Sequence, residues 1–413
     1  MKINIERLMH NIDELGRIGK NSVGGIDRWF GSETDIEARK WITQYWEQCF
    51  KENVEIDAIG NLWLKEEKRV AGLPILIGSH HDAVPCGGMY DGALGVLLAT
   101  EIKQTIEEQG IELRHPLWLI SFTGEEPNPF NVSTLGSKVL SGRISYDQLK
   151  SCKNRDTQET MEQAVRKVGG QISQVKPLEK NELAAFVECH IEQGHRLEDR
   201  NLPAACVTAI TGIYREEILV VGESNHAGTT MMQDRKDAYM AACKFSLLLE
   251  QTFNAYKNGE LVGTVGYVEV KPNEVNIIPG QVKIIVDIRT CQEKLLKNVT
   301  MEIDTIEKEV KRERGVSIER KVILNQKCVE MDHDVMKAIQ YGIERTGYSN
   351  VNLESMAGHD AANMARICKT GMIFVKSVGG KSHCKEEYST KEDINITGNA
   401  MLEAILKLDE VIE

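Results

Sequence analysis

The stretch GSHHDAVPCGGMYDGALG, Gly78 to Gly95, decides the fold. The run ahead of it, Leu73 to Ile77, is short and branched and opens with Pro74, which predicts a buried strand ending at Gly78. His80 and Asp82 are two residues apart, so in extended chain they share a side, and a carboxylate there can fix the tautomer of a metal-binding imidazole. His81 faces the other way. Beyond the Gly87-Gly88 turn, Asp91 and Gly92 precede a helix-like segment, Ala93 to Gln109. That places a carboxylate at a helix N-terminus above the strand end, where it can bridge two cations. The plainer alternative is a βα turn in which Asp91 only caps a helix and the histidines are only polar.

Working outward, a second apolar strand, Pro116 to Phe122, ends in Thr123-Gly124-Glu125-Glu126-Pro127. Strand, helix, strand implies parallel pairing through a crossover, and parallel sheets gather functional groups beyond their carboxyl ends. Glu125 and Glu126 therefore land beside His80 and Asp91, although adjacent glutamates are more often solvated charge. A third strand, Leu183 to Val187, runs into Glu188-Cys189-His190-Ile191-Glu192-Gln193-Gly194. His190 again stands at a strand end, with a hydrogen-bonded core histidine as the alternative. Before these strands come two helices, Asn4 to Ile18 and Ser32 to Phe50, the second opened by a Ser32/Asp35 capping pattern. Gly24 to Arg28 reads as a loop between them, and short strands follow at Val54 to Ile56 and Asn61 to Lys65. Asn131 to Lys180 is polar, with helical patches such as Asp156 to Lys167.

The pattern changes near Ala209. Strands at Tyr214–Val221, Leu261–Val270, Gln281–Ile288 and Val316–Leu324, with helices at Asp234–Phe253 and Leu295–Arg312, give βαββαβ order. A four-stranded antiparallel sheet with two helices on one face is expected, inserted into the first domain. Its polar clusters are GESNHAGTT around His226, Asn276 ahead of Ile277-Ile278-Pro279-Gly280, and Asp287-x-Arg289. Arg289 beside Asp287 reads either as a surface ion pair or as a fork of donors for a carboxylate. The first domain resumes after Gln326 with helices at Asp334–Thr346 and Asn395–Ile412, a helix opened by Gly358-His359-Asp360-Ala361-Ala362, and a strand Gly371–Lys376 leading to GGKSHCKEE. The fold class is α/β: a mixed, largely parallel sheet flanked by helices (residues 1–209 and 326–413), carrying an inserted α+β domain (residues 210–325).

The chain has 413 residues, 41% hydrophobic and 27% charged, enough for a large core and two domains. Its net charge of -12 argues against nucleic acid or an anionic membrane as partner. No apolar run approaches roughly 18 residues, and the charged N-terminus has no signal-peptide core. Ten cysteines without a CxxC pair suit reduced thiols, so a cytoplasmic protein is expected.

Taken together, His80, Asp91, Glu126, His190 and His383 supply imidazole and carboxylate in the proportion expected for two divalent cations sharing one carboxylate. Zn, Mn, Co and Ni all tolerate such ligands. In the order GSHHDAV, YDGALGV, TGEEP, HIEQG, GESNHAGTT, NEVNIIPG, DIR, AGHDA and SHCKEE, the motifs from residue 78 to residue 387 resemble the M20 metallopeptidase superfamily. HIEQG with NHAGTT is similar to its amidase branch of N-carbamoyl-L-amino acid hydrolases, ureidopropionases and allantoate amidohydrolases. The resemblance implies that Asp91 bridges, that His80 and His190 join it on one metal, and that Glu126 and His383 join it on the other. It makes Glu125 the general base, in keeping with a carboxylate one residue from a ligand, with Asp82 among the catalytic residues.

The resemblance further implies that the inserted domain is a dimerisation lid and that the protein is a homodimer. His226 would then reach the partner subunit's site to stabilise a tetrahedral oxyanion. Asn276 and Arg289 would hold the substrate's carboxylate, with Gln193 and Gly358 lining its pocket. The implied substrate is a ureido or N-acyl acid, cleaved by metal-activated water. This chain departs from the branch at Pro127, Pro129, Met231, Met356 and Lys385, around the pocket rather than at a predicted ligand. An N-acyl-amino acid deacylase or dipeptidase is the alternative hydrolase, and a non-catalytic metal-binding homologue the alternative from another class.

Overall fold

The computed structural model describes residues 1–66, 72–256 and 259–412. The chain divides into two units, Met1–Thr208 with Glu330–Glu413, and Ala209–Val329.

The first unit is built on a mixed sheet whose centre is four parallel strands, ordered Lys369–Val375, Ala185–Ile191, Ile75–His80 and Leu117–Phe122. Antiparallel strands extend it on both sides, Ala204–Ile210 next to Lys369–Val375, and Leu62–Leu64 then Val54–Ile56 beyond Leu117–Phe122. The parallel strands are apolar and buried almost throughout because both faces are covered, which explains why they read as continuous apolar runs rather than alternation. The helix Ala93–Glu108 packs Leu94, Val96, Leu97 and Leu98 into one core with Ile75, Ile77, Leu119, Val187, Ile373 and Val375. Each such aliphatic side chain contributes roughly 1.5–3 kcal/mol by leaving water, so this core dominates the unit's stability.

Three differences from the sequence reading have local causes. The organising strand begins at Ile75 and continues through Gly78 to His80, because Ser79 and His80 still pair with Ser121 and Phe122. The Gly24–Arg28 segment is not all loop: Ile26–Arg28 pairs antiparallel with Ala83–Gly87, so the chain after Asp82 is also a strand. Three residues are too few to show a period. Ala185–Ile191 likewise carries Glu188, Cys189 and His190 within the strand rather than past its end.

Between Leu117–Phe122 and Ala185–Ile191, helices Leu135–Leu140, Tyr146–Ser151 and Met161–Lys167 bury Leu135, Leu149, Met161 and Val165 in a small core with Phe30 and Phe130.

The second unit is a four-stranded antiparallel sheet ordered Val262–Lys271, Gln281–Thr290, Gly212–Val221 and Ser317–Gln326. Its two central strands alternate between buried and half-buried residues, the signature of one covered face. The helices Ala238–Asn254 and Glu293–Arg314 cover that face, where Phe245, Leu249, Val299 and Ile303 meet Ile218, Val220, Ile284 and Val286. Among the described residues no helix is long and apolar enough to cross a membrane.

Candidate metal centre

The carboxyl ends of the parallel strands deliver the polar cluster. His80 is the last residue of its strand and fully buried, and its Nδ1 lies 3.1 Å from the Asp82 carbonyl oxygen. His190 is buried near the end of the neighbouring strand, with Nδ1 3.0 Å from the Ile191 carbonyl oxygen. A carbonyl only accepts, so Nδ1 of both rings carries a hydrogen, which leaves Nε2 as the nitrogen that would bind a cation. Both Nε2 atoms face one carboxylate oxygen, Asp91 Oδ1, at 3.5 Å from His80 and 3.1 Å from His190.

Asp91 comes from the turn before the Ala93–Glu108 helix. Gly92, with φ +63°, has no room for a side chain: a Cβ there would lie 2.3–2.4 Å from the His80 ring. The other Asp91 oxygen, Oδ2, accepts from Gln193 Nε2 and from the Ser382 hydroxyl, each at 2.7 Å. It also lies 3.5 Å from His383 Nε2, which is 3.5 Å from Glu126 Oε1.

Glu125 and Glu126 follow the strand Leu117–Phe122, and Asp82 fixes both: its two oxygens accept the backbone N–H groups of Glu125 and Glu126 at 3.1 Å. Sequence reasoning gave the Asp82 carboxylate to His80. The structure gives His80 the Asp82 carbonyl oxygen, with the nearer carboxylate oxygen 3.6 Å away. Glu125 Oε2 stands 3.7 Å from His80 Nε2. Burial pushes the Glu125 carboxyl up to about 7; His80 opposes this, while Asp82 and Asp91 add to it. Burial likewise drives Glu126 well above the ordinary carboxylate range, aided by Asp91 and Glu125. Burial also disfavours charge on His80, yet Glu125, Asp82 and Asp91 outweigh it and raise that ring well above its usual value.

Two triplets of donor atoms result, His80/Asp91/His190 and Asp91/Glu126/His383, each with its donors within 4.8 Å of one another. The fit to cations can be tested on the protein's own atoms. Among the described residues, His80 Nε2 and Glu126 Oε1 are fully buried with no hydrogen-bond partner. Two imidazoles and two carboxylates facing one another in a buried site need positive charge among them, which protons supply on the raised His80 and His190 rings and which cations would supply in their place. The donor set, mixed imidazole and carboxylate with one carboxylate common to both triplets, is suited to two divalent cations.

Supporting groups lie behind these residues, and sequence reasoning passed over most of them. His81 turns away from the cluster, as its alternation requires, into a buried network: Nε2 donates to Asp35 Oδ1 at 2.9 Å, and Nδ1 meets the Ser121 hydroxyl at 2.6 Å. Asp35 also accepts from Arg39 Nε and from the Gly31 N–H. Arg28, only 1% exposed, donates to the carbonyls of His81, Leu15 and Ile18. Glu188 accepts from Ser79 Oγ and the Ala361 N–H, and His359 packs its ring 4.4 Å from that of His190 while bonding Ser355. A charged residue in a helix or a glycine-rich segment reads as surface; only the tertiary fold reveals Arg28 and Asp35 as interior. Gly358 is exposed, and a Cβ there would meet nothing within 4 Å.

In the second unit, His226 is exposed, and its Nδ1 accepts the N–H groups of Gly228 at 3.0 Å and Thr229 at 3.2 Å. The hydrogen of the neutral ring is therefore on Nε2, which makes the outer nitrogen a donor. Asn276 lies next to this loop, its carbonyl accepting the Ala227 N–H at 3.0 Å. Arg289 Nε donates to Asp287 Oδ1 at 2.9 Å, and Arg215 Nε to Asp287 Oδ2 at 2.6 Å, so the ion pair suggested by the sequence is formed.

Comparison with known proteins agrees with this architecture. Residues 76–407 match the sequence profile of peptidase family M20/M25/M40. The chain is 32% identical over 406 residues to an N-carbamoyl-L-amino acid amidohydrolase of Geobacillus stearothermophilus, covering 98% of each chain. It is 33% identical over 398 residues to a ureidoglycolate hydrolase of Oryza sativa subsp. japonica, covering 95% of this chain and 82% of that one. Its fold superposes on an amidase of the hydantoinase/carbamoylase family from Burkholderia multivorans with a TM-score of 0.86 at 30% identity, covering 98% of both.

Proposed function

This chain belongs to peptidase family M20/M25/M40 and is an amidohydrolase, and from that premise we propose that it cleaves the linear C–N bond of an N-carbamoyl-L-amino acid or a related ureido acid such as an allantoate-like compound, using two divalent cations. The observation that carries the reading is the pair of Nε2 atoms, on His80 and His190, oriented by backbone carbonyls on Nδ1 and both within 3.5 Å of one oxygen of Asp91. His80, Asp91 and His190 would hold one cation, and Asp91, Glu126 and His383 the other. When bound, such cations lower the pKa of water and polarise a carbonyl oxygen, which a planar, unreactive ureido group requires.

The chain's own residues supply the remainder. Glu125 takes the proton of the attacking water and returns it to the leaving nitrogen, a role suited to a carboxyl whose affinity for protons burial has raised. Asp82 holds Glu125 and Glu126 by their backbones, so base and ligand keep a fixed spacing. His226, donating from Nε2, serves the oxyanion of the partner subunit's reaction in a homodimer formed through residues 210–325. In this reading Asn276 and Arg289 hold the substrate carboxylate. The names of the two curated relatives support a ureido acid as substrate.

The test is a panel of N-carbamoyl-L-amino acids, ureidoglycolate, allantoate, N-acetyl-amino acids and dipeptides, assayed with chelated protein and after addition of Zn, Mn, Co or Ni. Cation-dependent turnover of at least one ureido acid is expected. Turnover confined to acetyl-amino acids or dipeptides would replace this substrate class, and no cation dependence would remove the mechanism.

A further inference from the structure

The two triplets are not held alike. His80 and His190 are buried in strands with Nδ1 tied to a carbonyl, whereas His383 sits on a loop with its side chain 45% exposed and φ +55°. The loop closes on itself through Val378 N–H to Tyr388 O at 2.8 Å and Glu387 N–H to Cys384 O at 3.1 Å. Glu387, only 5% exposed, ties this loop to the Asp91 turn. Its Oε1 accepts the N–H groups of Tyr90 and Asp91, both at 2.9 Å, and its Oε2 lies 3.0 Å from the Ser382 hydroxyl, itself 2.7 Å from Asp91 Oδ2. The carboxylate lies so close to the turn that a Cβ on Gly88 would come 2.0 Å from Oε1.

Resting on the two-cation reading above, we propose that Glu387 is a positioning residue that sets the Asp91/Glu126/His383 half of the centre by clamping the His383 loop to the backbone of the Asp91 turn. Its loss releases the half-site held by a loop and spares the half-site held by strands. Gly88 is part of the device, because only a residue without a side chain leaves space for the clamp.

Chelated protein is titrated with Zn²⁺, bound metal is counted by elemental mass spectrometry after desalting, and each Kd is measured calorimetrically; melting of the metal-free proteins is followed alongside. Wild type should bind two equivalents. Glu387→Ala should keep one at unchanged affinity and bind the second roughly 10- to 100-fold more weakly, the usual scale for groups that orient ligands. Gly88→Ala, whose methyl displaces Glu387, should do the same, and it decides the matter if Glu387→Ala does not fold. Glu387→Gln, whose amide oxygen can still accept both N–H groups, should bind two. Variants that melt earlier yet bind both cations like wild type would make Glu387 merely structural and overturn the proposal, as would equal weakening of both cations. A wild type that binds fewer than two overturns the two-cation reading itself and the clamp with it.

Discussion

The Asp82 carboxylate carries the backbone of Glu125: one oxygen accepts the Glu125 N–H at 3.1 Å while the other accepts that of Glu126 at the same distance. The link between the strands Ile75–His80 and Ala83–Gly87 thus suspends the loop bearing the proposed base, so replacing the Glu125 side chain leaves the loop in place. Glu125→Gln should retain metal content and fold while kcat falls by a factor of roughly 10² to 10⁴. A base acts only as the carboxylate, so wild-type kcat/KM should decline as pH falls along a limb at or below about 7, where burial puts this group, and the variant's residual activity should lack that limb. Near-wild-type turnover with Glu125→Gln removes it from the role.

Much of this arrangement was legible because chemistry and topology coincide at the strand ends. Apolar runs ending in His or Glu mark the carboxyl edge of a parallel sheet, and the structure brings the donor atoms of His80, Asp91, Glu126, His190 and His383 together there. What escaped the sequence is the tier beneath. Arg28, Asp35, Arg39 and Glu387 look like ordinary surface charges, and their burial follows from long-range pairings such as Arg28 with the His81 carbonyl and Glu387 with the Tyr90 and Asp91 N–H groups. The Ala83–Gly87 strand was missed for a related reason: its Pro85 and the Gly87-Gly88 pair at its end suggest a turn, and its short partner Ile26–Arg28 carries no periodic signal.

The Asp35 network yields a stability prediction with a definite sign. Burial alone would raise the Asp35 carboxyl, but Arg39 and the His81 hydrogen bond outweigh it, lowering it from 3.8 to about 2. A depressed folded-state pKa stabilises above the unfolded value and is lost as pH falls toward the folded one. Asp35→Asn should therefore destabilise the first unit at pH 7, by about 3 kcal/mol for a broken buried pair, and the deficit should narrow between about pH 4 and pH 2. Denaturant melts across that range check it; a deficit independent of pH would assign the loss to packing.

For His226, the proposed action across a homodimer predicts complementation. Mixing His226→Ala with Glu125→Gln, each nearly inactive alone, should restore activity as subunits exchange, because one of the two sites in each heterodimer then has both groups intact. If subunit exchange is demonstrated by distinct affinity tags and no activity returns, His226 does not act in trans.

Arg289 distinguishes a carboxylate fork from a structural ion pair with Asp287. Arg289→Lys keeps the charge but not the planar pair of donors, so kcat/KM for an acid substrate should drop roughly ten- to a hundredfold, the equivalent of about 1.5–3 kcal/mol for a charged hydrogen bond. An amidated analogue should start poor and lose little more. Equal losses on both, or a lower melting temperature without selectivity, would make Arg289 structural.

The central claim, that Asp91 joins two cation sites, is tested most directly by anomalous diffraction from crystals of the protein reconstituted with Zn²⁺ or Mn²⁺. Two peaks are expected about 3.5–4 Å apart, one in contact with His80 and His190, the other with Glu126 and His383, and both in contact with Asp91. A single peak away from Asp91, or none at saturating metal, would contradict it.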